Sequence, residues 1–185
     1  MAILLSWYVR LVFARIVRAL TVLSLSGFAS LAGAQAMSVP STAQALLAVQ
    51  DADPLELARI VRRAGDAAVL RLLGSDQPTN VRLCAARSAP WLRSPEQALL
   101  PLALWLAGRD ALLSEAAARA TLRIAQGLDA DTLARRDVAP ADLRGAAAAL
   151  QAAVDSTWLR ADLRLLAAQA VAQLVGAGVP APPPP

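Results

Sequence analysis

Three stretches of the chain repeat one pattern: VRLCAARSAPWL (Val81 to Leu92), LSEAAARATLRI (Leu113 to Ile124) and LRLLAAQAVAQL (Leu163 to Leu174). Each sets an Ala-Ala pair among apolar residues at helical spacing, and the first and third share an Arg three positions before it. A helix that recurs in this way is one half of a stacked unit, because alone it has nothing against which to bury its apolar face. Stacked helices of this kind present binding surfaces rather than reaction vessels. The repeat therefore constrains the fold first and the class of function second.

Composition points the same way. Hydrophobic residues make up 57 % of the 185 residues, yet aromatics only 4 %, so the apolar content is chiefly Ala and Leu. Both favour helix, and the chain is long enough for one sizeable domain. An all-α protein with close-packed helices is expected. Lys and His are absent, which leaves Arg as the only side-chain cation.

The formal charge of +4 is concentrated at one end. Arg10, Arg15 and Arg18 lie in the first 36 residues, which carry no acid; the remainder holds 15 Arg against 14 Asp and Glu. Those Arg are interspersed with acids rather than gathered in a stripe. Phosphate binding relies on a concentrated cationic patch, so no nucleic-acid partner is expected.

Residues 1–36 read as a signal peptide. A basic region through Arg18 precedes the apolar run ALTVLSLSGFASLAGA, and Ala34-Gln35-Ala36 supplies small residues at the two narrow cleavage positions, Ala34 and Ala36. LAGA at Leu31 to Ala34 resembles a bacterial lipobox, with Ala34 where the lipidated Cys would stand. An uncleaved anchor, a later start codon and an Arg-rich transit peptide are the alternatives. The expectation is export to the periplasm or outside the cell, with the membrane touched only through this segment if it stays uncleaved. Beyond it every apolar run is broken by charge before the ~20 residues a span requires.

Helix boundaries are well marked. Asp53-Pro54-Leu55-Glu56 is a cap, a first-turn Pro and a Glu placed to close a capping box, opening a helix to about Ala64. Asp66 starts a short helix stopped by Gly74, and Asp76-Gln77-Pro78 leads into the first repeated helix. Ser94-Pro95-Glu96-Gln97 reads as a second capping box, with its helix running to about Ala107. Further helices are predicted over about Ala111 to Gln126, Pro140 to Asp155 and Trp158 to Val175. The domain plan is a signal peptide at 1–36, a linker or capping segment at 37–53, stacked helices at 54–176 and a Pro-rich disordered tail at 177–185.

These residues resemble the HEAT-repeat family in its short, Ala-rich bacterial form. SDQPTNVRLCAARSA, from Ser75, carries the family's Asp, then Val-Arg, then Ala-Ala on one helix; Leu163-Arg164 and Ala167-Ala168 repeat it. The helix containing Pro101 looks like the family's Pro-kinked first helix. The resemblance implies a short α-solenoid, a superhelix of antiparallel helix pairs. It also implies that Arg82 and Arg164 join a polar ladder between repeats. The middle copy departs from the pattern, with Ser114 in place of the Arg, and Asp110 and Asp155 sit out of step.

Spacing breaks the regularity. Ala85 to Ala117 is 32 residues but Ala117 to Ala167 is 50, so about 18 extra residues separate the later copies. The insert falls near Leu128 to Ala139, LDADTLARRDVA, and either caps a spacer helix through Asp129 or Asp131 or contributes to binding through Arg135 and Arg136.

The residue inventory predicts no enzyme, no catalytic residue, no cofactor and no metal site. Without His there is no Ser-His-Asp triad, Cys-His pair or imidazole ligand; without Lys there is no Schiff base or phosphate-loop lysine. Asp129 and Asp131 look like the start of a calcium loop, but Leu133 and Ala134 stand where a ligand and the turning Gly belong. Asp53, Glu56, Glu96 and Asp142 sit at helix starts, where negative charge is favoured. Cys84 reads as a buried small hydrophobe, with an inter-chain bridge as the alternative. Trp91 and Trp105, flanking the turn at Ser94, are placed either in the core or at an exposed partner anchor.

The expected function is an exported, non-catalytic HEAT-like scaffold that binds another protein. The alternatives are an accessory subunit or lyase-like HEAT protein holding a small molecule, or a structural envelope component.

Overall fold

The computed structural model describes residues 37–49, 54–135 and 139–182, which contain helices and turns and no strand. The protein is all-α over this range. Ala34, Ala36, Asp53 and Arg136, named above, lie outside the described residues.

Short helices follow one another. Helix α1 (Val39–Ala48) starts at Ser38, whose hydroxyl accepts the Ser41 N–H at 3.4 Å. Helix α2 (Pro54–Ala64) ends at Gly65, which takes φ 81° and turns the chain straight into α3 (Asp66–Leu72). Helix α4 (Thr79–Ser88) runs into a 3-10 turn at Ala89–Trp91, and a second 3-10 turn at Pro95–Ala98 leads into α5 (Leu99–Leu106). Helix α6 (Ala111–Gln126) is capped by Asp110, whose carboxylate accepts the N–H groups of Leu112 and Leu113 at 3.0 and 3.1 Å. Then come α7 (Ala130–Arg135), α8 (Pro140–Asp155) and α9 (Ala161–Gly176).

Three boundaries differ from the sequence reading: the last helix, expected from Trp158, starts at Ala161, and the other two differ for local reasons. The helix expected from Pro95 to Ala107 is split. Pro101 has no N–H to give to the carbonyl four residues back, and the chain before it is wound as 3-10 rather than α. The Ser94 side chain makes no capping bond. Glu96 lies in the first turn of this segment, as its position predicts, and is buried at 3 % exposure. At the other end, Ala177 to Val179 belong to the closure of α9 rather than to a tail. Gly178, at φ 95°, donates to the Val175 carbonyl, and Val179 donates to that of Leu174. Val179 is buried with Leu174, which completes a Schellman motif with its apolar contact.

The three repeated helices stand in one row. Helix α4 packs on α6, and α6 on α9; α5 and α8 pack on each other and against α6 and α9 respectively. Helix α1 lies on α2, α3 and α4 at the opposite end. The Ala-Ala pair is what lets the row close up. Ala85, Ala86, Ala117, Ala118 and Ala167 are all fully buried, and with only a methyl group each they admit a neighbouring backbone at short range. The copies share burial at both ends: Val81, Leu113 and Leu163 at the start of each, Leu92, Ile124 and Leu174 at its end. Ala168, on the last helix of the row, is the one member of the pairs left half-buried. On the same helix Leu165 and Val175 remain exposed.

Leu99, Leu102, Leu106 and Leu150 fill the space between α5 and α8 and their neighbours with no exposed surface, each contributing ~1.5–3 kcal/mol of transfer free energy. Two hydroxyls in this apolar interior are satisfied within their own helices. Ser88 donates to the Cys84 carbonyl at 2.7 Å, and Thr121 to that of Ala117 at 2.9 Å. Helix α7 lies within the stretch Leu128 to Ala139, where the extra residues between the second and third copies are expected. Asp129 accepts the Thr132 N–H at its start, and no residue of the helix is fully buried.

Candidate functional site

The first two copies of the repeat, together with the start of α2, enclose an open-sided groove of about 560 Å³. Its apolar lining comes from Leu57 of α2, Leu83 of α4, and Leu112, Ala116 and Ala120 of α6. Helical spacing places Leu112, Glu115, Ala116, Arg119, Ala120 and Arg123 along one face of α6, so a single helix supplies both apolar and charged lining. Leu112 is 63 % exposed at this surface, a large apolar side chain left in water.

Charge is unevenly distributed in the groove. Among the described residues, Arg87, Arg119 and Arg123 line it with a single carboxylate, Glu115. That carboxylate is already shared, with the Arg119 guanidinium at 2.7 Å and that of Arg160 at 3.6 Å. Arg160 also holds Asp162 at 2.6 Å, and this hydrogen bond keeps the Asp162 carboxyl below the ordinary carboxylate range. The groove is therefore net cationic over an apolar floor.

Trp91 lines the groove beneath a cation. The Arg123 guanidinium sits 5.0 Å from the centre of the Trp91 indole, within cation–π range. Trp91 and Arg123 hold the same place in their copies of the repeat, each ten residues after the first, and Arg87 and Arg119 likewise both follow the Ala-Ala pair. The groove's chemistry is thus made by equivalent positions on adjacent helices. In the third copy those positions are Gln169 and Gln173, and the cationic pattern stops.

The other residues singled out in the sequence lie elsewhere. Trp105, half-buried, stacks against Arg82 with the guanidinium 4.4 Å from the ring centre. The Nε atoms of Arg82 and Arg164 are both buried without a hydrogen-bond partner among the described residues. Arg82 thus meets its neighbour by stacking. Ser114, at the Arg position of the middle copy, is buried and donates to the Trp105 carbonyl at 3.3 Å, tying α6 to the end of α5. Arg135 is exposed and bonds the Asp131 carbonyl within its own helix at 3.1 Å. Cys84 is buried at 3 % exposure, away from solvent.

Sequence reasoning named Trp91 but missed Arg87, Arg119, Arg123 and Leu112. The available signal was the aligned repeat itself, in which two Arg follow two Ala-Ala pairs. It missed Asp66 as well. That carboxylate accepts the N–H groups of Arg93 and Ser94 at 3.1 and 2.8 Å, pinning the turn after Trp91 across 27 residues of chain. No cluster of three or more metal-ligating side chains occurs among the described residues. No helix among them is long and apolar enough to cross a membrane. Compared with known proteins, the chain matches no family model, no curated protein and no solved structure.

Proposed function

We propose that this protein is a non-catalytic helical-repeat scaffold, a short solenoid of antiparallel helix pairs of the HEAT type, that docks another protein in the groove formed by α2, α4 and α6. The observation that carries this reading is the groove's make-up. Solvent-exposed Leu112, a tryptophan and three arginines line an open channel built from equivalent repeat positions. Trp and Arg are the side chains most often found to dominate protein interfaces, and an open apolar strip rimmed by charge is the ordinary form of such a surface. The row α4, α6, α9 with α5 and α8 behind it supports pairwise stacking, since neighbours joined by short turns, such as α5 and α6, pack side by side.

The small-molecule alternative calls for an enclosed cleft with converging acids. The groove instead is open-sided and carries one carboxylate engaged by two arginines. Export is the compartment we propose, on the strength of the basic-then-apolar first 36 residues and Ala34-Gln35-Ala36. Crosslinking in living cells of the source organism, with several chemistries and mass spectrometry, tests the reading. Recovery of one protein reproducibly joined to groove residues is the expected result. No specific adduct under any crosslinker would overturn it.

A further inference from the structure

We infer that the occupant of the groove is an acidic protein segment: an extended stretch that alternates carboxylates with aliphatic side chains. This rests on the docking reading above and narrows it to a chemical class. Three features of the groove point to it.

The first is charge. Among the described residues, the Arg119 and Arg123 guanidiniums of α6 line the groove beside one carboxylate, and that carboxylate is neutralised from within the protein by Arg119 and Arg160. An incoming carboxylate meets net positive potential; to engage Arg119 it competes with Glu115, which keeps its longer contact with Arg160. Guanidinium also binds carboxylate through paired parallel hydrogen bonds, a geometry that a planar fork supplies and a point charge does not.

The second is the alternation of chemistry along α6. Leu112, Ala116 and Ala120 interleave with Arg119 and Arg123 on the same face. An extended segment lying along the groove, its side chains pointing alternately to either side, can turn carboxylates toward Arg119 and Arg123 on α6 and aliphatic groups toward Leu57 of α2 and Leu83 of α4. A uniformly charged polymer would leave the apolar strip wet. That disfavours nucleic acid, whose phosphate contacts call for a wider cationic field than three arginines.

The third is preorganisation. Arg123 is already laid over Trp91 at 5.0 Å, which limits the rotamer freedom that its side chain would lose on binding. Trp91 is in turn fixed by the Asp66 bonds to the following turn. The groove therefore stands formed before any ligand enters.

Fluorescence polarisation with the purified full-length chain tests the inference. The probes are three labelled peptides of alternating Glu and Leu, Gln and Leu, or Lys and Leu, with a labelled oligothymidine beside them. The acidic peptide should bind about ten-fold or more tighter than its Gln counterpart, since one charge-assisted contact is worth that much. Its affinity should fall as salt rises. Arg119→Gln with Arg123→Gln, which installs what the third repeat already carries, should erase the preference while circular dichroism stays unchanged. Leu112→Glu, on an exposed position, should weaken the same peptide independently. Equal binding of the Glu and Gln peptides, preference for the Lys peptide or for oligothymidine, or affinity indifferent to salt would each overturn the inference. Failure here with groove adducts still recovered in cells removes the acidic class alone; absence of adducts removes the docking reading.

Discussion

Single side chains in this protein do long-range work. Asp66 begins α3, yet its carboxylate reaches Arg93 and Ser94 and holds the chain where Trp91 meets the groove. Asp66→Ala leaves two backbone donors without their charged acceptor and should cost about 1.5–3 kcal/mol, read as a lower urea midpoint with an unchanged slope. Gly178 closes α9 at φ 95°, where a Cβ is strained, so Gly178→Ala should destabilise by about 1 kcal/mol or more in the same assay. The exposed Arg160–Asp162 pair gives a titration prediction. Hydrogen bonding from Arg160 depresses the Asp162 carboxyl in the folded state. Its contribution is therefore complete above the ordinary carboxylate value of 3.8 and is lost as pH falls through the depressed folded value. Carboxylate NMR should show Asp162 titrating below the ordinary range in the native chain and returning to it in Arg160→Gln.

At the scale of the helix, the repeated Ala-Ala pair sets how closely neighbours approach. Ala118 is fully buried on α6, between α4 and α9, whereas Ala168 at the matching position of α9 is only half-buried. Ala118→Leu should therefore overpack the row and cost about 1–3 kcal/mol, while Ala168→Leu should cost less than about half of that. Gly145, inside α8, offers the opposite case. A Cβ there would meet the Leu100 side chain at 3.4 Å, an end that can yield. Gly145→Ala should gain helix propensity of about 0.5–1 kcal/mol and raise the melting temperature by a few degrees. Most helices from Pro54 onward were legible because glycines, prolines and apolar period are local signals, and α8 falls at Pro140–Asp155 as its Pro and spacing predict, whereas α1 lies in a stretch that reads as a linker or capping segment. What could not be read was non-local. Nothing near Asp66 in sequence announces Ser94, and Arg82 carries no mark that its guanidinium lies over Trp105 rather than beside a carboxylate. The 3-10 turn before α5 was readable in principle from Pro101, whose missing N–H removes the bond an α start would need.

For the molecule as a whole, the asymmetry of the row matters more than its regularity. The first two copies carry Arg87, Arg119 and Arg123 and form the groove; the third carries Gln169 and Gln173 in the matching places and presents Leu165 and Val175 to solvent. The protein's overall basic charge gives no hint of this, since outside the first 36 residues cations and acids nearly balance. What distinguishes one face from another is placement. The central claim, that the groove of α2, α4 and α6 is where a protein partner docks, is tested most directly by a photo-crosslinking residue installed in cells at Leu112. The control is the same residue at exposed Ala148 on α8. The account predicts a single adduct from position 112 that maps to a Glu- or Asp-rich segment of one protein and is missing from position 148. Equal adducts at both positions, or adducts at 148 alone, would contradict it.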